Sequence, residues 1–238
     1  MNKIKYLLYK YKILRTIKLN GILLNINKLH YHKNELIKLI SGKYEMGENS
    51  IMNETLTEKD ILLELGTGIG YNTIYAKKNI GCEVFSFEGN PELIPIIYNN
   101  AKINKTKITI YNKIVTVKKT VDHVPFNVAE HYTGSSLREL DTQTNLKSVY
   151  EIETISIKEV ISQISPTYFM CDIEGGELDI FENCDFLKDT TIMKILIEFH
   201  PRVLGEDKTL DLINNIIKQG YQLRFDKYPK KYCFFYKK

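Results

Sequence analysis

The chain has 238 residues, of which 43% are hydrophobic and 26% charged, values that are ordinary for a globular protein. This length allows one domain with a sizeable core plus an extension. The cysteines are far apart and form no C-x-x-C pair, which argues against a disulfide framework or a zinc site; they are Cys82, Cys171, Cys184 and Cys233. We therefore expect reduced thiols and a cytoplasmic protein.

The positive charge is concentrated at the N-terminus. Residues 1–43 carry ten Lys or Arg and one acid, whereas residues 44–238 carry 23 basic and 28 acidic residues. Near the start, lysines separate apolar residues at helical spacing, which are Ile4, Leu7, Leu8, Tyr11 and Leu14. We interpret residues 1–43 as a basic extension whose first helix either exposes a solvated charged face or contacts an anionic membrane or an acidic partner. Its apolar runs are too short for a signal peptide or a membrane span.

From residue 61 onward, apolar segments typical of strands alternate with segments of helical spacing. We predict strands at 61–65, 83–87, 107–111, 168–172 and 194–199. We predict helices at 71–78, 91–104, 157–164, 177–184 and 210–219, the second of which begins at Pro91. The last two strands, 221–225 and 232–236, flank a turn and form a hairpin. This order predicts an α/β fold with a doubly wound, mostly parallel sheet that ends in an antiparallel hairpin.

The segment ELGTGIGYN, residues 64–72, places three glycines at alternate positions between the first strand and the first helix. Glycines at such a turn let the backbone bend tightly and approach a ligand at the carboxyl ends of the strands. A dinucleotide site uses G-x-G-x-x-G to hold a pyrophosphate, but Tyr71 stands where its last glycine belongs. The G-x-G-x-G spacing favours S-adenosylmethionine, which has no pyrophosphate; a purely structural turn is the alternative.

Two carboxylates strengthen the case for a cofactor site. Glu88 ends the second strand, 22 residues after Gly66, where an acid can accept hydrogen bonds from ribose hydroxyls. A solvated acid at the strand end is the alternative. Glu64 follows three apolar residues, so we expect it to be buried and to need a partner, and a sulfonium ligand with an amino group supplies positive charge. The predicted cofactor-binding residues are Glu64, Gly66, Thr67, Gly68, Gly70, Asn72, Glu88 and Asn112.

Between residues 41 and 201 the chain resembles the FkbM family of S-adenosylmethionine-dependent methyltransferases. The similar blocks keep the family's order and are SGKYEMGENSIM, ILLELGTGIGYN, VFSFEGNPELIPIIYNNAKIN, GSSL, MCDIEGGELDIFE and LIEFHP. The most specific part is the D-x-E-G-x-E run that starts at Asp172, followed by the pair Glu198-x-His200. The glycine block departs from the family's usual D-x-G-A-N-x-G, because Glu64 replaces the Asp and Thr67-Gly68 replace Ala-Asn. Gly89 also stands where a proline is common.

This resemblance implies a Rossmann-like class I methyltransferase sheet over residues 44–238 and S-adenosylmethionine as the cofactor. It also implies O-methylation, commonly of a sugar hydroxyl in a glycan, a glycolipid or a glycosylated metabolite. The departures in the glycine block keep the carboxylates, so cofactor binding is still expected.

The acidic run and the histidine suggest the chemistry. Asp172 ends the fourth strand and should face the methyl group, Glu174 follows it, and Glu198 and His200 share a face of the next strand. Attack by a sugar hydroxyl needs orientation and removal of a proton. Either Asp172 or His200 acts as a general base, with Glu174 as a further catalytic candidate, or Asp172, Glu198 and His200 hold Mg²⁺ or Mn²⁺. For Glu177, stabilisation of a helix N-terminus is explanation enough.

Residues 118–150 are polar, and we predict a long irregular insertion there, which at this length is usually functional or disordered. We expect it to shape the acceptor pocket, together with the segment just before the first strand. The substrate-binding candidates are Tyr44, Glu45, His131, Tyr132, Ser135 and Ser136. An ordinary polar loop is the alternative for all of them.

Three other functions remain open at this point. A nicotinamide dehydrogenase fits the fold, but the glycine spacing argues against it. A nucleic-acid methyltransferase fits the basic N-terminus, but Asn90-Pro91 is followed by Glu92, not by the Pro-aromatic pair of amino-methylating DNA enzymes, and no Pro-Cys pair is present. A non-catalytic scaffold would keep the fold and bind a partner through its N-terminus, but the acids at the strand ends argue for a working site.

Overall fold

The computed structural model describes residues 9, 14–26, 31, 33–131, 135, 145–224 and 232–238. The strands are β1 (Thr16–Leu19), β2 (Ile22–Asn25), β3 (Ile61–Leu65), β4 (Glu83–Phe87), β5 (Thr109–Tyr111), β6 (Ile114–Thr116), β7 (His123–Ala129), β8 (Leu146–Ser156), β9 (Tyr168–Cys171), β10 (Lys194–Glu198), β11 (Gln222–Arg224) and β12 (Tyr232–Tyr236). The helices are α1 (Lys33–Ser41), α2 (Met46–Thr55), α3 (Tyr71–Tyr75), α4 (Ile94–Ile103), α5 (Ile157–Ile164), α6 (Glu177–Phe181), α7 (Pro201–Leu204) and α8 (Glu206–Lys218). A π-helical turn, Ala76–Ile80, follows α3, and a 3-10 turn, Asp185–Leu187, follows α6.

A seven-stranded sheet with the order β11-β12-β10-β9-β3-β4-β5 forms the centre of the molecule. The strands from β10 to β5 pair in parallel, whereas β12 runs antiparallel to both β10 and β11. All of β9 is buried, and so is β3 apart from its first residue, as expected for parallel strands covered on both faces. The predicted doubly wound, mostly parallel sheet with its antiparallel C-terminal hairpin is confirmed.

The direction of the strand order reverses between β3 and β9. From β3 the chain builds outward through β4 to β5, and it later returns to place β9 and β10 on the other side of β3. In open sheets of this kind a crevice forms at the carboxyl ends of the strands beside the reversal. The turns that follow β3, β4, β9 and β10 therefore meet at one edge of the sheet.

Alternation of side chains divides the core into two layers. Leu62 packs with the helices on one face of the sheet, and Leu63 packs in the layer on the other face. All four cysteines carry free thiols and are buried in these layers. Among the described residues, no helix is both long and apolar enough to cross a membrane.

Some predicted element limits were wrong. The helix expected from Pro91 begins at Ile94, because Asn90 forms a turn in which its side-chain Oδ1 accepts a hydrogen bond from the backbone N–H of Glu92 (3.0 Å). Pro95 occupies the first helical turn instead, where its missing N–H costs nothing. The helix expected at 210–219 begins earlier, at Glu206. The helix expected at 177–184 and the strand expected at 107–111 are shorter, as α6 and β5. The helix expected at 71–78 is formed by α3 and by the π-helical turn that continues it to Ile80.

The predicted irregular insertion at 118–150 is wrong in its described part, because β7 and the start of β8 lie there and pair antiparallel. Phe126 and Val128 on β7 and Ile152 on β8 pack with Ile114 in a small separate core. These apolar residues fall at every second position, so the segment is polar on average and yet has one apolar face. The average polarity of the segment therefore did not reveal its strands.

The described part of the N-terminal segment packs against the sheet domain. The β1–β2 hairpin buries Ile22 and Leu24 completely, and both belong to the same core layer as Leu62. Asn104 of α4 fixes β2, because its Oδ1 accepts from the Leu23 N–H (2.9 Å) and its Nδ2 donates to the Leu23 carbonyl (2.7 Å). The domain limit between residues 43 and 44 stays a prediction. The predicted first helix lies almost wholly outside the described residues, so its contact with a membrane or an acidic partner also stays a prediction.

Candidate active site

A cavity of about 1130 Å³ opens at the carboxyl ends of the central strands. Its walls come from the turns after β3, β4, β9 and β10, from the start of α2, and from β6 and β7. The lining residues discussed below are Tyr44, Glu45, Gly66, Thr67, Gly68, Asn72, Glu88, Phe126, Ser135, Asp172, Glu174, Glu198, His200 and Tyr232. Ligand sites usually have about 300–1,000 Å³, so this cavity is large enough for a cofactor and part of an acceptor.

The glycine turn is in direct contact with the end of β9. Gly66 has φ 84, and a Cβ atom there would lie 1.7 Å from the carbonyl oxygen of Asp172. Gly70 has φ 83, and a Cβ there would lie 2.9 Å from Cγ2 of Ile97 on α4. These positions need glycine for two reasons: the left-handed backbone and the absence of room for a side chain. The turn consequently presents bare backbone to the cavity beside Asp172.

Glu88 closes the same turn from β4. Its Oε2 accepts from the Gly68 N–H (2.9 Å) and its Oε1 from the Asn90 N–H (2.7 Å), and the residue is 6% exposed. Burial raises the pKa of Glu88 to about 7 in spite of these hydrogen bonds. Asn112 supports the turn from behind, because its Nδ2 donates to the carbonyls of Glu88 (2.8 Å) and Gly89 (3.2 Å). Glu88 is therefore held in a fixed orientation at the cavity wall.

Gly89 is explained by the β7–β8 hairpin. A Cβ atom at this position would lie 2.6 Å from Cδ1 of Ile114 and 2.7 Å from Cε2 of Phe126. The glycine therefore makes room for two side chains of the small core. The departure from the proline that is common in the family is thus coupled to the packing of the hairpin.

Glu64 lies beneath the cavity and does not line it. Its Oε2 accepts from the Ser86 hydroxyl (2.6 Å) and from the Thr73 hydroxyl, and only 1% of the residue is exposed. Burial raises the pKa of Glu64 to about 7. The partners that we expected from a cofactor are supplied by the protein itself, and the role of Glu64 in cofactor binding stays a prediction.

The start of α2 covers the glycine turn. The Tyr44 ring meets the Tyr71 ring edge to face, with centroids 5.8 Å apart. Asn72, which lines the cavity, accepts from Asn49 Nδ2 (2.9 Å) and donates to Glu45 Oε2 (3.4 Å). Thr67 turns its hydroxyl toward the Phe87 carbonyl (3.3 Å). The predicted residues Tyr44, Glu45 and Asn72 thus lie together. They are linked by Asn49 and Tyr71, which hydrogen-bond to each other and were not predicted from the sequence.

His200 lies at the centre of a group of carboxylates. Its Nδ1 is 2.9 Å from Glu177 Oε1, and its Nε2 is 3.6 Å from Asp172 Oδ1, 3.5 Å from Glu174 Oε2 and 3.8 Å from Glu198 Oε1. Burial lowers the pKa of His200, but the hydrogen bond and charge of Glu177, with the charges of Glu174 and Glu198, outweigh burial and leave this pKa above its ordinary value. The residues predicted to be catalytic therefore lie within contact distance of one another.

Burial and mutual repulsion raise the pKa values of the carboxyl groups here. The pKa of Asp172 is well above its ordinary value, first because of burial and then because of the charges of Glu198, Glu174 and Glu45. The pKa of Glu174 rises to about 7 for the same reasons, although His200 opposes the rise. Glu174 also has φ 51, a left-handed conformation that is unfavourable for a residue with a side chain. Such strain is common at functional sites.

Two buried carboxylates at the site, Glu177 and Glu48, were not predicted from the sequence to have a functional role. Glu177 does more than stabilise the N-terminus of α6: it is fully buried, and its Oε1 contacts His200 and accepts from the backbone N–H groups of Ile173 (3.4 Å) and Gly175 (3.3 Å). Glu48 of α2 is 1% exposed. It lies three residues after Glu45, a spacing that places two side chains on one face of a helix and could have identified it.

The remaining predicted substrate-binding residues do not all lie at the cavity. Ser135 lines the cavity, is 8% exposed, and accepts a hydrogen bond from the Ala129 N–H (3.1 Å). His131 is exposed and does not belong to the cavity wall. Tyr132 and Ser136 lie outside the described residues. Of the predicted acceptor contacts, the structure thus places Tyr44, Glu45 and Ser135 at the cavity.

The fold is that of class I methyltransferases, the Rossmann-like enzymes that depend on S-adenosylmethionine. The family model described as "Methyltransferase FkbM domain" matches residues 64–223. This match spans more than half of the chain, which therefore belongs to the FkbM methyltransferase family.

Several solved methyltransferase structures are similar to this chain at low sequence identity. A methyltransferase from Pyrococcus furiosus is 14% identical, with a TM-score of 0.50 and coverage of 99% of this chain and 98% of that chain. A precorrin-6y C5,15-methyltransferase from Geobacter metallireducens is 12% identical, with a TM-score of 0.48 and coverage of 90% and 96%. Magnesium protoporphyrin IX methyltransferase from Synechocystis, solved with bound SAM, is 9% identical, with a TM-score of 0.47 and coverage of 82% and 77%. The search of curated proteins found no significant match.

Proposed function

We propose that this methyltransferase transfers the methyl group of S-adenosylmethionine to a hydroxyl oxygen of an acceptor that carries a saccharide. The observation that carries the proposal is the pairing of His200 Nδ1 with Glu177 Oε1 at 2.9 Å, with Nε2 on the side of Asp172 and Glu174. A hydroxyl must lose its proton during methyl transfer, and a histidine oriented by a carboxylate is a suitable base. The resemblance to the family supports the saccharide.

The residues present fit the cofactor. Glu88 is oriented by two backbone N–H groups and keeps lone pairs that can accept from ribose hydroxyls. Gly66 brings bare backbone to the cavity where a side chain has no room. Bound there, S-adenosylmethionine supplies an electrophilic methyl group on a positively charged sulfur. The carboxylates around Asp172 favour such a positive charge.

His200 and Glu177 form the proton-accepting pair. In the neutral tautomer in which Nδ1–H donates to Glu177, Nε2 can accept the hydroxyl proton of the acceptor. The same hydrogen bond fixes the orientation of the ring. Glu177 and the neighbouring Glu174 and Glu198 then stabilise the imidazolium ion that forms, which explains why the pKa of His200 is raised although burial alone would lower it.

The charge of the cavity favours a saccharide over a nucleic acid. The acids Glu45, Asp172, Glu174 and Glu198 line the cavity around His200, and carboxylates repel phosphates. Two of the lysines in the wall are already paired, Lys38 with Glu35 at 2.7 Å and Lys113 with Glu153 at 2.6 Å. Nucleic-acid binding depends on basic groups that neutralise phosphates. A neutral acceptor with several hydroxyls suits this wall better.

A cation that activates the hydroxyl is the second candidate chemistry. Ligand atoms of Asp172, Glu174 and His200 lie within 4.8 Å of one another. Glu198, which the sequence predicted as a ligand in place of Glu174, has its Oε1 3.8 Å from His200 Nε2. The contact of Nδ1 with Glu177 resembles the outer carboxylate that commonly orients a metal-bound histidine. Such an ion, Mg²⁺ or Mn²⁺, would lower the pKa of the acceptor hydroxyl.

The test is single-turnover transfer of a labelled methyl group from S-adenosylmethionine to a panel of glycans, glycolipids and glycosylated metabolites, with RNA and DNA in parallel. With a working acceptor, His200→Ala and Asp172→Asn should be slower by about 10²–10⁴-fold while cofactor affinity changes little. His123→Ala is the matched control, because His123 is exposed on β7, outside the cavity wall.

Three results would overturn parts of the proposal. Methylation of RNA or DNA without transfer to any saccharide contradicts the acceptor class. Near-wild-type rates in His200→Ala contradict the assignment of His200 as the general base. If a chelator abolishes activity, Mg²⁺ or Mn²⁺ restores it, and His200→Gln no longer binds the ion, then a cation held by His200 activates the hydroxyl and His200 is not the base.

A further inference from the structure

The start of α2 brings a second group of carboxylates to the cavity. Oxygen atoms of Glu45, Glu48 and Asp172 all lie within 4.8 Å of one another. This group contains no histidine, and it shares only Asp172 with the group formed by Asp172, Glu174 and His200. The members come from separate parts of the chain, because α2 precedes the central sheet and Asp172 follows β9.

Glu48 is the residue that indicates a missing ligand. Only 1% of it is exposed, and neither carboxylate oxygen has a partner at hydrogen-bond geometry among the described residues. The ionisable groups that act on it are the acids Glu45 and Glu198 and the Tyr232 hydroxyl, none of which supplies a positive charge. Asp172 Oδ1 is likewise buried without a hydrogen-bond partner. Burying a carboxylate without a partner is costly, so such groups are normally paired or bound to a metal. Glu177 differs from Glu48 in that its Oε1 has His200 and two backbone N–H groups as partners, although its Oε2 is also buried without one.

The local backbone holds these side chains in place. Glu45 stands just before α2 with φ 49, and its Oε2 accepts from Asn72 Nδ2 (3.4 Å). A Cβ atom at Gly47 would lie 2.2 Å from Cε2 of Tyr232, so the tyrosine ring of β12 rests against the first turn of α2. Contacts on both sides of that turn therefore fix the positions of Glu45 and Glu48.

We infer that Glu45, Glu48 and Asp172 bind one hard divalent cation of the Mg²⁺ or Mn²⁺ type. Three carboxylates without imidazole or thiolate form the donor set that these ions prefer. The ion reaches the site through the cavity, because Glu45 and Asp172 line it. Bound there, it neutralises the repulsion among the three acids and ties α2 to the end of β9. Binding of the ion does not depend on the proposed acceptor, so its test needs neither acceptor nor turnover.

The experiment is a titration of the full chain with Mn²⁺, followed by the paramagnetic resonance signal of free Mn²⁺ and then by competition with Mg²⁺. Wild type should bind one Mn²⁺ that Mg²⁺ displaces. Glu48→Gln and Glu45→Gln should each weaken binding at least about tenfold. His200→Gln should bind as wild type does, because the imidazole is not a ligand of this ion. Glu151→Gln is the matched control, since Glu151 is exposed on β8.

Several outcomes would overturn the inference. The site is refuted if wild type binds no Mn²⁺ at millimolar concentration, or if binding survives in Glu48→Gln and in Glu45→Gln. Loss of Mn²⁺ binding in His200→Gln would place the ion in the group of Asp172, Glu174 and His200. Absence of Mn²⁺ binding together with loss of S-adenosylhomocysteine binding in Glu48→Gln would assign the carboxylates to the ammonium group of the cofactor. Circular dichroism of each variant checks that it folds. If Glu48→Gln does not fold, Glu45→Gln still tests the site.

Discussion

Gly66 and Asp172, which are more than a hundred residues apart in the sequence, are in backbone contact: a Cβ atom on Gly66 would lie 1.7 Å from the carbonyl oxygen of Asp172. The turn proposed to face the cofactor and the residue expected beside the methyl group are thus parts of one rigid junction. A displacement of the turn must also displace the end of β9. The two halves of the site consequently depend on each other through backbone packing, not only through a bound ligand.

A side chain at this junction should damage cofactor binding. We expect Gly66→Ala to weaken S-adenosylhomocysteine binding at least about tenfold, or ~1.4 kcal/mol, because the turn must move away from Asp172. The measurement is titration calorimetry. Gly220→Ala is the matched control: Gly220 has φ 90 and no atom within 4 Å of the added Cβ, so strain should cost about 1–3 kcal/mol of stability without affecting the cofactor. Equal cofactor affinity in Gly66→Ala and wild type would contradict the rigid junction.

Removing the charge of Glu177 should shift the pH dependence of methyl transfer. Glu177 raises the pKa of His200, so Glu177→Gln should lower that pKa, and the acidic limb of the rate profile should move to lower pH. The rate on the plateau should also fall, because a less basic histidine accepts the proton less readily. The measurement is the single-turnover rate as a function of pH. Glu206→Gln, on the exposed start of α8, should keep the wild-type profile, and an unshifted profile in Glu177→Gln argues against His200 as the base.

Glu64 should make the protein less stable as the pH rises. Its pKa is about 7 in the folded state and 4.5 in its ordinary state, so the folded protein binds the proton more tightly. Stability from this group is complete below pH 4.5 and is lost as the pH rises through 7. The total loss is about 3 kcal/mol at 1.36 kcal/mol per pKa unit.

The check is urea unfolding of wild type and Glu64→Gln at a series of pH values without cofactor. The free energy of unfolding of the variant should rise relative to that of wild type between pH 4.5 and 7, with no further relative rise at higher pH. Glu83→Gln, at the exposed start of β4, should show a constant difference from wild type. A constant difference in Glu64→Gln as well would mean that the pKa of Glu64 is the same in the folded and the unfolded protein, contrary to this prediction.

Asn104 should join the N-terminal hairpin to the sheet domain in one folding unit. Asn104→Ala removes both hydrogen bonds to the backbone of Leu23, which should reduce the free energy of unfolding by about 1–3 kcal/mol. A single unfolding transition by fluorescence and circular dichroism should persist. Asn214→Ala, on the exposed face of α8, should change the free energy of unfolding little. Two separate transitions would support an independent extension at residues 1–43.

The central sheet could be predicted from the sequence because its signals are local. Parallel strands buried on both faces are continuous apolar runs, and glycines at alternate positions mark the turn after β3. The β7–β8 hairpin was missed because its apolar residues Phe126, Val128 and Ile152 alternate with polar ones and depend on Ile114, which lies outside the segment. The strand formed where a partner from elsewhere covered its apolar face.

The sequence by itself determined the strands of the central sheet in their chain order, the glycine turn and the acidic run that follows β9, since each depends on neighbours in the chain. The tertiary structure alone decided which acids meet. It buried Glu177 against His200, brought Glu48 from α2 to within 4.8 Å of Asp172, and placed Glu64 under the cavity with Ser86 as its partner. These outcomes depend on desolvation and on contacts between distant segments, which exist only after the strands have assembled.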